Sequence, residues 1–326
     1  MLRLRGIDFG NVMNASGARN FFGDGYWFHP YLRNWGLDYT GSTFVAKTTT
    51  FPPRIPPEAG NMPFNQDTLQ PLELFPRCIK VDFLRGTVLN AVSLSGPGAE
   101  ALFKRSVWDQ WQSAFFISFA AVSATVDERL KEWQQFVRLA ADYIPKFAAP
   151  VGLEVNIFCP NIKVHEKPLI DEIHSTLDIA GDLNIPLVAK INLLISYKVA
   201  LQIQDHRACD AICMSNAIHW SALSQFLNRK AWLGTYTSPL KKYGGGGLSG
   251  SPLWWLVTRW IREARKSGFY KPIVGCGGIL RWQDACDMMD AGASAIQIGS
   301  VSLLRPLRVK SIIQHTNAYA QTKMSR

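Results

Sequence analysis

The sequence has no run of about eighteen apolar residues free of charge, the length a membrane-crossing helix needs. Its opening, MLRLRGIDFGNV, carries charge and has no apolar core of the signal-peptide kind. A soluble, cytoplasmic protein is therefore expected. Cysteine is sparse: the six stand at 78, 159, 209, 213, 276 and 286, with no CxxC pair and no CxxxH spacing, so neither a zinc site nor a disulfide scaffold is indicated. Acidic residues are short as well, 25 against 35 Lys and Arg, which leaves a formal net charge of +10. No block of five like charges concentrates that excess, so a solvated basic surface is the plainest account, beside an anionic ligand, an acidic partner or nucleic acid. What is plentiful is apolar side chain, 47% of 326 residues, which excludes a disordered chain.

Eight short β-rich runs alternate with stretches of helical period: Val12 to Ala15, Phe44 to Lys47, Ala114 to Ala120, Leu153 to Phe158, Leu187 to Ile191, Ala211 to Ser215, Ile273 to Cys276 and Ala295 to Ile298. After the third run, Thr125 and Glu128 form a capping box, and Leu130, Trp133, Val137, Ala140 and Ile144 fall on one helical face. Before the seventh, Ser251 and Pro252 supply an N-cap and a first-turn proline, and Leu253, Leu256, Val257, Trp260 and Ile261 make an apolar stripe. A further helix over Arg281 to Ala291 stops at Gly292. Nearly continuous apolar strands separated by amphipathic helices predict a parallel sheet covered by helices, and eight such units predict one (β/α)8 TIM barrel spanning residues 1–326. Two segments exceed what a barrel needs, Phe51 to Pro76 with seven prolines and Asn228 to Gly250 with the run GGGG. Both are expected as loop insertions at the C-terminal face of the strands, where barrel enzymes keep their chemistry.

The residues at the strand ends are polar and chemically able: Asn14 and Ser16; Lys47 and Thr48; Asn156, Cys159 and Asn161; Lys190 and Asn192; Asn216; Gly277 and Gly278; Gly299 and Ser300. The last two pairs end the seventh and eighth strands, where barrels bind phosphate through exposed backbone amides. Two lysines at separate strand ends can neutralise an anion, form a Schiff base or reach solvent. Cys159 precedes proline among polar neighbours and suits a general base if nearby donors lower its pKa, whereas the other five cysteines read as packing residues.

Through those residues the chain resembles the dihydroorotate dehydrogenases from about Ile7 to Arg305, and within them the soluble class with a cysteine base. NASG at 14–17, KTTT at 47–50, LNAVSLSGPG at 89–98, NIFCPN at 156–161, AKI at 189–191, SNA at 215–217, GGLSG at 246–250, GCGGI at 275–279 and QIGS at 297–300 occur in the family's order. The resemblance implies FMN held by Ser16, Lys47, Thr48, Asn156, Lys190, Gly250, Gly277, Gly278, Gly299 and Ser300, with the glycines and Ser300 at the phosphate and Lys190 facing the isoalloxazine. It implies a pyrimidine ring and its carboxylate held by Asn90, Asn156, Asn161 and Asn216, and Cys159 as the base, with hydride passing to the flavin N5. It also implies a homodimer and, in one branch of the family, an iron–sulfur partner chain that carries electrons onward, since no cluster-binding cysteine spacing occurs here.

The sequence departs from the family pattern at Ser93, at Ser95 with Gly96, at Ala217, at Phe119 where an asparagine is common, and at Asn192 with Leu193. Ser93, Ser95 and Ala217 are expected beside the substrate, where one altered hydrogen bond to a carboxylate is worth about 1.5–3 kcal/mol. Four alternatives stand beside dihydroorotate oxidation: a flavin barrel acting on another dihydropyrimidine, a tRNA dihydrouridine synthase, a lyase using Lys190 as a Schiff base, and a flavin binder without turnover. Membrane attachment and nucleic-acid binding are disfavoured, the latter because few residues follow the eighth strand.

Overall fold

The computed structural model describes residues 1–157 and 166–324. All eight expected runs form parallel strands, named here β1 (Val12–Asn14), β2 (Phe44–Val45), β3 (Phe115–Phe119), β4 (Val151–Asn156), β5 (Leu187–Ile191), β6 (Ala211–Met214), β7 (Ile273–Cys276) and β8 (Ala295–Ile298). Each pairs with its neighbours in sequence from β2 to β8, β8 pairs with β1, and a parallel bridge between Met13 and Thr43 joins the two ends. The sheet is thus closed into an α/β TIM barrel.

Alternation along the strands sorts the side chains. Phe115, Ile117 and Phe119 of β3, Leu153 and Val155 of β4, and Ala189 and Ile191 of β5 join the outer core beneath the helices. Met13, Val45, Phe116, Val188, Ala211, Cys213, Val274, Cys276 and Ala295 fill the interior together with Leu2, Leu4 and Phe9. Leu4 lies in a short hairpin, Arg3–Leu4 with Ile7–Asp8, and Leu2 and Phe9 flank it, so the N-terminal segment packs against the interior side chains. Gly152 makes room inside, since a Cβ there would lie 2.4 Å from the Phe116 ring. Phe119 is turned away from the barrel axis and stacks on Phe136 at 3.9 Å, so it presents nothing to the interior.

The outer helices follow the expected amphipathic faces. Helix α1 (Val126–Tyr143) begins at the Thr125–Glu128 capping box and buries Trp133, Phe136, Val137 and Ala140. Helix α2 (Ser251–Lys266) buries Leu253, Val257, Trp260 and Ile261, but its N-cap is Gly250 and not Ser251. The physical reason is a close crossing. The Ser251 amide donates to the Gly86 carbonyl, and a Cβ on Gly250 would sit 2.2 Å from that same oxygen, so the chain turns at the glycine with φ +102. Helix α3 (Trp282–Asp290) starts from Arg281. Among the described residues no helix is long and apolar enough to cross a membrane.

Outside the barrel the chain forms a four-stranded antiparallel sheet in the order Ile218–His219, Gly247–Gly250, Thr87–Asn90, Ile79–Asp82, of which only Gly247–Gly250 belongs to one of the two long insertions. Strands of two to four residues between prolines and glycines carry too little alternation to be seen in sequence.

Candidate active site

A layer of polar side chains occupies the barrel interior at the C-terminal ends of the strands. At its centre is Glu154 on β4, 1% exposed, a residue that no sequence motif singles out. Register explains its company: Ser118 of β3 lies directly opposite, and Lys190 of β5 is one inward-facing position further along. The Ser118 hydroxyl donates to Glu154 Oε1 at 2.9 Å, Gln297 Nε2 of β8 donates to Oε2 at 2.7 Å, and Lys190 Nζ reaches both oxygens at 3.2 and 3.3 Å. Lys190 Nζ also meets Gln297 Oε1 at 3.2 Å, and the Cys213 thiol donates to the same oxygen at 3.4 Å. Each polar side-chain atom at the centre of the cluster has a partner, the condition under which a buried ion pair is tolerated.

From Glu154 the network runs outward to the mouth. Ser118 Oγ lies 2.9 Å from Thr48 Oγ1, which lies 2.6 Å from Ser16 Oγ and accepts from Asn156 Nδ2 at 3.1 Å; Asn216 Nδ2 then donates to Asn156 Oδ1 at 2.8 Å. A carboxylate only accepts, so Ser118 spends its proton on Glu154 and must take one from Thr48. Thr48 in turn takes from Ser16, whose oxygen accepts the Thr48 amide at 2.8 Å. The whole chain therefore points one way, from the mouth amides down to the carboxylate, and each bond polarises the next.

The two strand-end lysines differ in charge environment. Burial works against the charged form of Lys190, but Glu154, aided by Cys213 and Cys276, overrides it, so its pKa is raised. A lysine held protonated by a carboxylate is a poor nucleophile toward a carbonyl, which weighs against the Schiff-base alternative. Among the described residues no carboxylate pairs with Lys47. Its Nζ donates to the Ser95 carbonyl and stands 4.3 Å from the centre of the Phe21 ring, and burial alone pulls its pKa down to about 7.

Glycines of the expected phosphate set crowd the ends of β7 and β8. A Cβ on Gly278 would lie 2.7 Å from the Gly250 carbonyl and 2.5 Å from the Trp254 amide, and one on Gly299 would lie 2.9 Å from Ala15 Cβ. Gly277 faces Leu253 and Val257 of α2. No described residue accepts a hydrogen bond from the amides of Gly278, Gly299 or Ser300. Asn90 ends its strand opposite Gly247, and Ala217, next to Asn216, packs against that same glycine, so Asn90 and Asn216 approach the mouth from either side of it.

Cys159 and Asn161 lie outside the described residues. Ser93 and Ser95 prove to be loop anchors. The Ser93 carbonyl accepts from Arg54 Nε at 2.9 Å, while Ser95 Oγ accepts the amides of Asn61 and Met62 at 3.0 and 2.9 Å and donates to the Val92 carbonyl at 2.8 Å. Asn14, expected among the chemically able residues, is a structural one. It is fully buried and pairs with the Val45 amide and carbonyl at 3.1 and 2.7 Å, in the manner of a peptide group.

Of the site residues, Glu154, Ser118 and Gln297 went unnoticed in sequence. The available signal was a lone carboxylate within the apolar run LEVNIF, two residues from Asn156 and therefore on the same face.

The profile of the dihydroorotate dehydrogenase family matches residues 68–319. The chain is 30% identical over 303 residues to the catalytic subunit of dihydroorotate dehydrogenase B (NAD(+)) from Desulforudis audaxviator, covering 90% of this chain and 83% of that one. It is 29% identical over 244 residues to the protein of the same name from Caldicellulosiruptor saccharolyticus, covering 73% and 74%. With a putative dihydroorotate dehydrogenase A (fumarate) from Aquifex aeolicus it shares 29% over 236 residues, 70% and 71% of the two chains. The crystal structure of DHODH from Eimeria tenella in complex with ferulenol has the same fold, with a TM-score of 0.63 at 15% identity over 99% of this chain and 83% of that one. Closed barrel, strand-end motifs in register and a match over most of the length agree: the chain belongs to the dihydroorotate dehydrogenase family of oxidoreductases.

Proposed function

We propose that the chain is an FMN-dependent dihydroorotate dehydrogenase that oxidises dihydroorotate to orotate in pyrimidine biosynthesis. The observation that carries this reading is the mouth of the barrel, where one paired and one unpaired buried lysine flank a chain of hydroxyls and amides in a protein of this family. The donor set fits a flavin mononucleotide. Amides of Gly278, Gly299 and Ser300, with Gly250 and Gly277 beside them, suit a phosphate, and Ser16, Lys47, Thr48, Asn156 and Lys190 suit the ring. When bound, FMN supplies the two-electron acceptor, taking hydride at N5.

The protein's own residues do the rest. Asn90, Asn156, Asn161 and Asn216 hold a flat ring of alternating carbonyl and N–H groups, with Asn216 oriented by its bond to Asn156. Cys159 takes the proton from the ring carbon next to the one that gives up hydride. An anionic ligand arriving at Lys47 restores the charge that burial suppresses there. The relatives named NAD(+) catalytic subunits support a further step, the passage of electrons to a separate partner chain; an iron–sulfur cluster on that chain is what the family resemblance implies.

The test is direct. The purified protein shows a flavin spectrum that bleaches anaerobically on adding dihydroorotate, and Cys159→Ser slows that bleaching by about a hundredfold or more near neutral pH. A colourless protein that cannot be reconstituted with FMN overturns the reading. Bleaching by another dihydropyrimidine but not by dihydroorotate keeps the flavin and changes the substrate, and turnover with fumarate by the chain alone removes the partner.

A further inference from the structure

We propose that Glu154 is a positioning residue that fixes Lys190 as a permanent cation at the barrel mouth and thereby separates its role from that of Lys47. The two lysines make a comparison within one molecule. Both are buried at neighbouring levels of the same barrel, 4% and 7% exposed, and both ammonium groups accept whatever company the fold provides. Around Lys190 stand Glu154 of β4, Gln297 of β8, and the thiols of Cys213 on β6 and Cys276 on β7. Around Lys47 stand the Ser95 carbonyl and the Phe21 ring, with no carboxylate among the described residues. One carboxylate thus decides which lysine keeps its proton.

Glu154 can do this because it is held from two other sides, by hydrogen bonds from the Ser118 hydroxyl and the Gln297 amide. Those donors also hold the carboxylate in one orientation, so Lys190 is constrained in position as well as in charge. A glutamine at 154 keeps the shape and removes the charge. It leaves the ammonium facing neutral acceptors, the situation of Lys47. It also removes the obligate acceptor that sets the direction of the Ser118 and Thr48 hydroxyls, so those protons become free to reverse.

The proposal rests on the flavin reading only for what Lys190 meets at the mouth; the lysine titrations stand without it. The experiment follows the side-chain signals of Lys47 and Lys190 by NMR in the full chain labelled on lysine, assigned with Lys47→Met and Lys190→Met, across the pH range. In the wild type, Lys47 titrates near 7 while Lys190 is still protonated at about pH 10. In Glu154→Gln the Lys190 titration moves down by about two pH units or more, the size burial imposes on an unpaired lysine, while that of Lys47 stays in place; Glu154→Asp returns most of the shift. In parallel, the ratio of FMN dissociation constants, Glu154→Gln over wild type, rises about tenfold from about pH 6 to about pH 9 as Lys190 loses its proton.

A Lys190 that titrates below about pH 9 in the wild type overturns the proposal, as does an unmoved Lys190 in Glu154→Gln. If the glutamine variant does not fold, the wild-type titration and Glu154→Asp decide. A wild type that binds no FMN at any pH sinks the flavin reading and leaves the lysine result to be judged alone.

Discussion

Lys47 is the residue at which function and stability pull hardest against each other. Its ammonium is buried without a counter-charge among the described residues, and burial holds its pKa at about 7 in the folded chain, against about 10.4 when unfolded. From about pH 10.4 down to about 7 the unfolded chain therefore holds a proton that the folded chain sheds, so stability falls as pH falls through that window, by an amount on the order of 4 kcal/mol in all. Below the folded value both states are protonated and the loss is constant. Lys47→Met removes the conflict. The variant is expected to melt higher than wild type at neutral pH and to lose the rise in stability between pH 7 and 10, measured by thermal denaturation, while its affinity for FMN or for orotate falls about tenfold or more. Sequence reading had placed both lysines at the mouth, but their opposite charge environments depend on Glu154, a strand residue with no motif of its own.

At the scale of elements, the join between β7 and α2 controls the shape of the expected phosphate cradle. Gly278, at φ +72, brings its backbone against the first turn of α2, where a Cβ would strike both the Trp254 amide and the Gly250 carbonyl. Gly278→Ala must push that loop off the helix. We expect a folded protein, as read by circular dichroism, with FMN binding weakened about tenfold or more. Gly268→Ala is the matched control: it has φ +91 but nothing within 4 Å of the new carbon, so it carries the backbone strain without the collision and leaves FMN affinity unchanged. Helix α1, its capping box and its buried face were all legible in sequence, because they follow from spacing within one segment. The N-cap of α2 was misplaced by one residue because the deciding contact comes from Gly86, on a distant hairpin. The mouth sheet was missed altogether, since none of its strands exceeds four residues.

For the whole molecule the critical feature is closure. Seven of the eight seams are ladders; between β1 and β2 the chain relies on the Met13–Thr43 bridge and on the side chain of Asn14, which supplies both a donor and an acceptor to Val45. Asn14→Leu leaves the buried Val45 amide and carbonyl without those partners, at about 1–3 kcal/mol for each. The expected result is a fall in the denaturation midpoint corresponding to roughly 2–5 kcal/mol, and loss of protection from hydrogen exchange at β1 and β2 ahead of β4 and β5.

The sequence alone determined the eight strands, the amphipathic helices between them and the motifs at the strand ends, because these depend on short-range sterics and on which residues within a segment are apolar. It could not show which face of each strand turned inward, since a strand buried on both sides reads as one apolar run. Only the closed barrel decided that Glu154 meets Gln297, 143 residues away, and that Asn14 serves the seam while Lys190 is paired with a carboxylate and Lys47 meets only a backbone carbonyl and a ring. Those pairings exist because curvature and register bring side chains from separate strands into one water-poor layer, where a single carboxylate sets the charge of what lies beside it.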